Sequence, residues 1–241
     1  MAKAKGELLE YLDESCLALV NADDCVVVKE VKRTKGRLLA FSLERESQFR
    51  GEGLVFDREG CGQFSLQSRK FQLSVPGRHN VYNALAATAA GSELDVPIEE
   101  AAQVLASFRP PSLRGQLLER GGIRLLNDVY NANPASMQAA LVSISEMSVT
   151  GSGRRVAVLG DMLELGETAA ELHRELGAFA ANHNLDFLFA LGVHAEDVAS
   201  GWVEGGQSPE QAHVFECRDT LVGARQEFLT AGDLVVVKGS R

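Results

Sequence analysis

The chain is expected to be an α/β protein: a largely parallel sheet with helices on both faces in its second half, preceded by a smaller α/β region that carries a β-rich segment. Three observations lead there. From residue 112 onward, short apolar strands alternate with amphipathic helices, a pattern that implies right-handed strand–helix–strand crossovers. Residues 25–76 instead hold several strand-like runs bounded by turn residues. Between the two regimes stands Arg109-Pro110-Pro111-Ser112, where two prolines cannot continue a helix. The domain boundary is placed at this linker, giving domains over 1–108 and 112–241.

Residues 2–12 read as a helix with Ala4, Leu8, Leu9 and Leu12 on one stripe. Residues 16–20 read as a strand ending in Asn21-Ala22-Asp23-Asp24. Short strands are expected over 26–28, 38–43, 54–56, 63–66 and 71–75, with Asp57-Arg58-Glu59-Gly60 as a hairpin turn. Helices over 80–91 and 98–108 lead to the prolines. Beyond them, strands 116–119 and 123–126 flank a Gly121-Gly122 turn. Strands 155–159, 187–191, 213–216 and 234–237 then alternate with helices over 134–147, 168–182, 195–200 and 218–230. Met137, Ala140, Leu141, Ile144 and Met147, at helical spacing, form the apolar stripe of the first of these helices. Leu172, Leu176 and Phe179 mark the second, and Leu221, Arg225, Phe228 and Leu229 lie on the last.

Bulk properties narrow the function. The 241 residues are 45% hydrophobic and 24% charged, which suits a globular protein with a sizeable core. A net charge of −9 argues against binding nucleic acid, whose phosphates need a basic surface. No apolar run approaches the roughly 18 residues of a membrane span, and no apolar signal-peptide core follows Met1. Cys16, Cys25, Cys61 and Cys217 include no Cys-x-x-Cys pair, so free thiols in a reducing compartment, the cytoplasm, are expected.

The densest polar stretch is Asn127-Asp128-Val129-Tyr130-Asn131-Ala132-Asn133-Pro134, set between a strand and a helix. Asn133 can cap that helix and Pro134 suits its first turn. Capping and turn chemistry account for one or two such residues; this many, at a strand's carboxyl end and a helix's positive end, suggest a site for an anion. Two more polar clusters fall at strand ends: Gly160-Asp161-Met162-Leu163-Glu164-Leu165-Gly166-Glu167 and Lys238-Gly239-Ser240-Arg241. In a parallel sheet such ends form the ligand-binding crevice, so a common cleft is expected, against the alternative that polar residues simply prefer strand ends.

These stretches, in order and spacing, closely resemble the Mur ligases: Asp128-Val-Tyr-Asn-Ala-Asn-Pro134, Leu159-Gly-Asp-Met-Leu-Glu-Leu-Gly166 and Val237-Lys-Gly-Ser-Arg241. Gly77-Arg-His-Asn-Val-Tyr-Asn-Ala-Leu85, and Ala4-Lys-Gly-Glu7 with Asn21-Ala-Asp-Asp24, match the same family's central domain. The resemblance implies the second part of a central, P-loop-type ATP-binding domain over 1–108 and a C-terminal Rossmann-like domain over 112–241. It implies ATP-dependent amide formation in peptidoglycan precursor synthesis, with D-Ala-D-Ala added to UDP-MurNAc-tripeptide. ATP phosphorylates a substrate carboxylate, the amine attacks the acyl phosphate, and phosphate leaves. ATP and Mg²⁺ would be the cofactors, and a cytoplasmic monomer that binds neither nucleic acid nor membrane is expected.

The same resemblance implies residue roles. Lys5 matches the lysine that is carbamylated to provide an oxygen ligand for Mg²⁺. His79, Asn80 and Asn83 fall where ATP is held, with Asn83 at the adenine-contacting position, and Asn80 and Asn83, three apart, share a helix face. The alternative is that Asn80 caps the helix and His79 is structural. Arg114 matches an arginine that reaches ATP, although Leu113 stands where the family pattern has glycine. Asp128, Tyr130, Asn131 and Asn133 complete that ATP-side motif. Asn133, Asp161, Glu164, Lys238, Ser240 and Arg241, with Glu167 and His173, are candidates for holding the dipeptide or the substrate's peptide; His173 is otherwise expected on the polar side of its helix. No Gly-x-x-x-x-Gly-Lys-Ser/Thr loop occurs in these residues, so the chain is expected to be a fragment that lacks the family's N-terminal domain and is inactive alone, with exposed strand edges in its first domain. The alternatives are another Mur-type amino-acid ligase, or a non-catalytic Rossmann-like module that binds a nucleotide or peptide.

Overall fold

The computed structural model describes residues 2–240, less the side chains of residues 2–5 and 225–227. The chain divides into two compact units: Met1–Asp57, Cys61–Ser74 and Arg78–Phe108 form the first, and Arg58–Gly60, Val75–Gly77 and Arg109–Arg241 the second.

The first unit runs α1 (Ala2–Glu10), β1 (Leu17–Asn21), α2 (Cys25–Glu30), β2 (Arg37–Ser42), β3 (Phe49–Arg50), β4 (Glu52–Phe56), β5 (Cys61–Leu66), β6 (Arg69–Pro76), α3 (Arg78–Ser92) and α4 (Ile98–Ser107). Strands β1, β2 and β3 make a parallel sheet with β1 at one edge; β4, β5 and β6 make a second, with β4 and β5 antiparallel. The expected turn joins β4 to β5: the Asp57 carboxylate accepts the Cys61 N–H at 2.8 Å. One core of Leu39, Phe41, Phe49, Phe64, Leu66, Phe71 and Leu73 packs against Val81, Ala84, Leu85 and Ala89 of α3.

One expectation fails in this unit. Residues 26–28 are helical, in α2, not a strand. The Asp24 carboxylate accepts the Val26 and Val27 N–H groups at 2.8 and 3.1 Å, and this cap outweighs the β preference of three valines. The helix expected over 2–12 forms as α1, with Leu8 of its stripe 69% exposed. Ion pairing anchors α1 instead, with Arg33 bridging Glu10 and Glu30.

The second unit contains β7 (Gln116–Arg120), β8 (Ile123–Asp128), α5 (Pro134–Glu146), β9 (Arg155–Gly160), α6 (Ala169–Ala181), β10 (Phe187–Leu191), α7 (Ala195–Glu204), β11 (Ala212–Phe215), α8 (Arg218–Phe228) and β12 (Leu234–Lys238). Its six strands lie in the order β11-β10-β9-β12-β8-β7, all pairings parallel except β7 with β8. Gly121 and Gly122, at φ +61° and +77°, make the two-residue turn of that hairpin, where side-chain-bearing residues would be strained.

The period-two alternation of the strands sends Ala157, Leu159, Leu188, Ala190, Leu234 and Val236 into one core with Met137 and Leu141 of α5, Leu176 of α6 and Trp202 of α7. Val156, Val158, Phe189 and Val235 face the other side, with Leu221 and Phe228 of α8. Helices thus cover both faces, as expected of this fold class. The expected stripe of α5 is fully buried from Met137 to Met147; the Arg225 side chain on α8 lies outside the described residues. At the amino-terminal end of the sheet, Arg154 Nη2 meets Asp233 at 2.7 Å and the Arg154 and Thr230 N–H groups donate to the same carboxylate at 2.9 Å. Burial opposes ionisation of Asp233, but these donors overcome it and hold its pKa below the usual carboxylate value.

Candidate functional site

The carboxyl ends of the parallel strands bring the three polar clusters of the second unit together. Strand β12 lies between β8 and β9, so Lys238 pairs in register with Asp128 on one side and Leu159 on the other. The Lys238 side chain is 3% exposed. Its ammonium donates to Asp128 Oδ2 at 2.6 Å, to the Asn131 carbonyl at 3.0 Å and to the Asp128 carbonyl at 3.3 Å. An ammonium has three protons, so Lys238 spends its donors shaping the Asp128–Asn131 turn. The other carboxylate oxygen of Asp128 accepts the Gly115 N–H at 3.1 Å, fastening the segment that carries Arg114.

Ser240 continues this tie across the strand ends. Its N–H donates to the Asp161 carbonyl at 2.8 Å, its hydroxyl accepts the Leu163 N–H at 3.1 Å, and the same hydroxyl donates to the Ala132 carbonyl at 3.4 Å. The Asp161 carboxylate accepts the Val193 and His194 N–H groups at 2.9 and 3.1 Å, which places its charge at the amino end of α7. Gly192, at φ +124°, makes room for it: a Cβ there would stand 2.3 Å from Asp161 Oδ2. Glu164, at φ +62°, and Glu167 are exposed on the following turn. His173 is not on the polar side of α6 but fully buried, and its Nε2 accepts the Met162 N–H at 2.9 Å.

Arg114 and Tyr130 stack, the guanidinium carbon lying 3.6 Å from the ring centroid, and both are exposed. Stacking fixes the plane of the guanidinium and leaves its edges open to an anion. Leu113 adopts φ +69°, the left-handed region that favours glycine, and its carbonyl accepts the Tyr130 N–H at 3.1 Å. The position before Arg114 is thus conformationally a glycine position. Asn133 caps α5, its side chain accepting the Ser136 N–H at 2.9 Å while Ser136 Oγ returns the bond, with Pro134 opening the helix as expected. Asn131 Oδ1 accepts the next N–H, that of Ala132, at 2.8 Å.

In the first unit, His79 and Asn83 are exposed near the start of α3, Asn80 is half-buried, and Asn83 Nδ2 donates to Asn80 Oδ1 at 3.1 Å. They share a face, and Asn80 lies inside the helix, not at its cap. Sequence reasoning did not single out Asp23. Its carboxylate accepts the N–H groups of Leu43 (2.7 Å), Glu44 (3.2 Å) and Arg45 (3.2 Å), the Ser42 hydroxyl (3.0 Å) and the Tyr82 hydroxyl (2.9 Å). Burial alone would raise its pKa, yet these donors lower it below the ordinary value. The signal was there in Asn21-Ala22-Asp23-Asp24, where an acidic pair closes a strand.

The expected roles of Lys5 and Arg241 fall on a side chain and a residue outside the described ones. Among the described residues no group of three or more His, Cys, Asp or Glu could hold a metal ion. Nor is any described helix long and apolar enough to cross a membrane. All four cysteines are free thiols.

The fold is that of a Mur ligase's middle and C-terminal domains. The profile of the "Mur ligase, glutamate ligase domain" matches residues 113–241, and that of the "Mur ligase middle domain" matches residues 1–91. The chain belongs to the Mur ligase family. Among its relatives are UDP-N-acetylmuramoyl-tripeptide–D-alanyl-D-alanine ligases: that of Bacillus subtilis (strain 168) is 32% identical, with all of this chain and 52% of the relative aligned. That of Treponema pallidum (strain Nichols) is 35% identical, with 100% of this chain and 51% of the relative aligned. A crystal structure of MurF from Acinetobacter baumannii superposes with a TM-score of 0.84 at 24% identity, over 99% of this chain and 52% of that one. MurF of Thermotoga maritima in complex with ADP gives 0.80 at 23% identity, over 99% of this chain and 53% of that one. The chain therefore spans about half the length of these relatives.

Proposed function

We propose that this chain contributes the nucleotide-facing and amine-facing parts of an ATP-dependent amide ligase that joins D-Ala-D-Ala to UDP-MurNAc-tripeptide. The observation that carries the proposal is the bonded network of Asp128, Lys238, Ser240 and Asp161, which gathers three motif loops at one end of the sheet. Identities of 32% and 35% to UDP-N-acetylmuramoyl-tripeptide–D-alanyl-D-alanine ligases support this substrate class.

In this proposal Asn80 and Asn83 contact adenine from α3, with His79 beside them. Arg114, held flat against Tyr130, meets phosphate oxygens with its open edges, where charge spreads during phosphoryl transfer. Asp128, Asn131 and Asn133 shape the turn that places Tyr130, and Lys238 keeps that turn in position. Glu164, Ser240 and Arg241 frame the place of the incoming dipeptide, whose ammonium suits exposed Glu164. Lys5, as a carbamate, is assigned to Mg²⁺, which would neutralise phosphate charge. The domains are assigned to 1–108 and 112–241, and the protein is assigned to the cytoplasm as a monomer.

Calorimetric titration of the 241-residue chain with D-Ala-D-Ala, L-Ala-L-Ala, ATP and NAD tests the proposal. Saturable binding of D-Ala-D-Ala in preference to its enantiomer, and of ATP in preference to NAD, is expected. Indifference to stereochemistry or a preference for NAD would refute it. Because no phosphate loop occurs in these residues, the chain alone is expected to release no phosphate from ATP when UDP-MurNAc-tripeptide and D-Ala-D-Ala are added.

A further inference from the structure

We infer that His173 is a positioning residue for the dipeptide: a single imidazole tautomer holds the Asp161–Leu165 turn in the shape that presents Leu163 and Glu164. The inference rests on the D-Ala-D-Ala reading above. His173 is fully buried in α6, and its two ring nitrogens have opposite jobs. Nδ1 lies 2.7 Å from the Ala169 carbonyl, an acceptor, so Nδ1 carries the proton. Nε2 lies 2.9 Å from the Met162 nitrogen, a donor, so Nε2 offers its lone pair. Only the neutral Nδ1–H form satisfies both.

Among the described residues, His173 Nε2 is the acceptor that satisfies the Met162 N–H at the middle of this turn. Met162 is 2% exposed, and its side chain is a core residue. The flanking residues are tied elsewhere, Asp161 to the amino end of α7 and Leu163 to Ser240. Beyond them Leu163 is 53% exposed and Glu164 sits at φ +62°, a conformation that needs its root held still. The imidazole is itself held: the His194 ring stacks on it with centroids 4.5 Å apart, and His194 Nδ1 is 2.9 Å from Asp197 Oδ2. Asp161 Oδ1, at 3.9 Å, is the carboxylate nearest to Nε2. A proton added to Nε2 would turn an acceptor into a donor facing the Met162 N–H and would release the turn.

Two variants separate positioning from mere packing. The shorter amide of His173→Asn retains a donor near Ala169 but has no atom at the Nε2 place, whereas His173→Gln reaches that place with an acceptor. Nitrogen-15 spectra of the wild-type ring are expected to show a protonated Nδ1 and a bare Nε2. His173→Asn is expected to weaken D-Ala-D-Ala binding about tenfold and speed hydrogen exchange at the Met162 amide, while His173→Gln restores both to near wild type at the same melting temperature as His173→Asn. A protonated Nε2 in the wild type, or equal dipeptide affinity in all three proteins, overturns the inference. No dipeptide binding by the wild type overturns the substrate reading and this inference with it, an outcome distinct from equal binding.

Discussion

At the scale of single residues, the site depends on groups whose ordinary habits are suspended. Lysine is rarely buried, yet Lys238 is, because three acceptors surround its ammonium. Lys238→Met should therefore cost about 2 kcal/mol in denaturant unfolding, a figure reduced from that of a fully buried pair because Asp128 is partly exposed. A loss below a few tenths of a kcal/mol would show that the pair does not hold the turn. Leu113 is the reverse case, a side chain where the backbone wants none. Leu113→Gly should remove about 1 kcal/mol of left-handed strain, offset in part by the greater freedom of the unfolded chain. A net gain in melting temperature is expected, and a clear loss would mean that the Leu113 side chain carries packing that outweighs the strain. Asp233 supplies the pH dependence. Its native pKa is depressed, so its contribution is present above the usual carboxylate value and lost as pH falls through the lower native value. Asp233→Asn should lower stability at neutral pH by about 2 kcal/mol and flatten the acid limb of the stability curve; an unchanged acid limb would contradict this.

At the scale of elements, the contact between α6 and α7 rests on small residues. A Cβ on Gly177 would stand 1.9 Å from the Val198 carbonyl oxygen, and one on Gly201 1.8 Å from that of Arg174. Backbone cannot yield as a flexible side chain does. Gly201→Ala should therefore force the helices apart at a cost of about 3 kcal/mol or more, read as a fall in unfolding midpoint, whereas exposed Gly223→Ala, with open space around it, should be neutral or stabilising. The elements were legible in sequence where burial dictated them. Strands β9, β10 and β12 carry unbroken apolar runs over 156–159, 187–191 and 234–237 because both their faces are covered, and β10 falls at the expected 187–191. Legibility failed where a local bond decided the outcome. Three valines read as a strand until the Asp24 cap is seen, and β3 is two residues long, too short for any periodicity. The burial of His173 was in principle readable, since it precedes Leu176 and Gly177 by three and four positions and so shares their buried face. That of Lys238 was not, because its partners Asp128 and Asn131 lie 110 and 107 residues away.

At the scale of the whole molecule, the second unit is built so that its chemistry gathers at one end of the sheet. The amino-terminal end is closed by Arg154 and Asp233, and the carboxyl-terminal end by Asp128, Lys238, Asp161 and Ser240. The first pair is structural; the second set holds turns that leave Arg114, Tyr130 and Glu164 exposed. The candidate site was legible as motifs at strand ends, while the division between residues that hold the turns and residues left free to bind came only from the hydrogen bonds. The central claim is that this end of the sheet receives the dipeptide. Its most direct test is a nitrogen-15 NMR titration of the chain with D-Ala-D-Ala. Shifts concentrated at residues 128–133, 161–165 and 238–240, and weaker with L-Ala-L-Ala, are the predicted result. Shifts confined to the opposite end of the sheet, around Arg154 and Asp233, or none at saturating dipeptide, would contradict it.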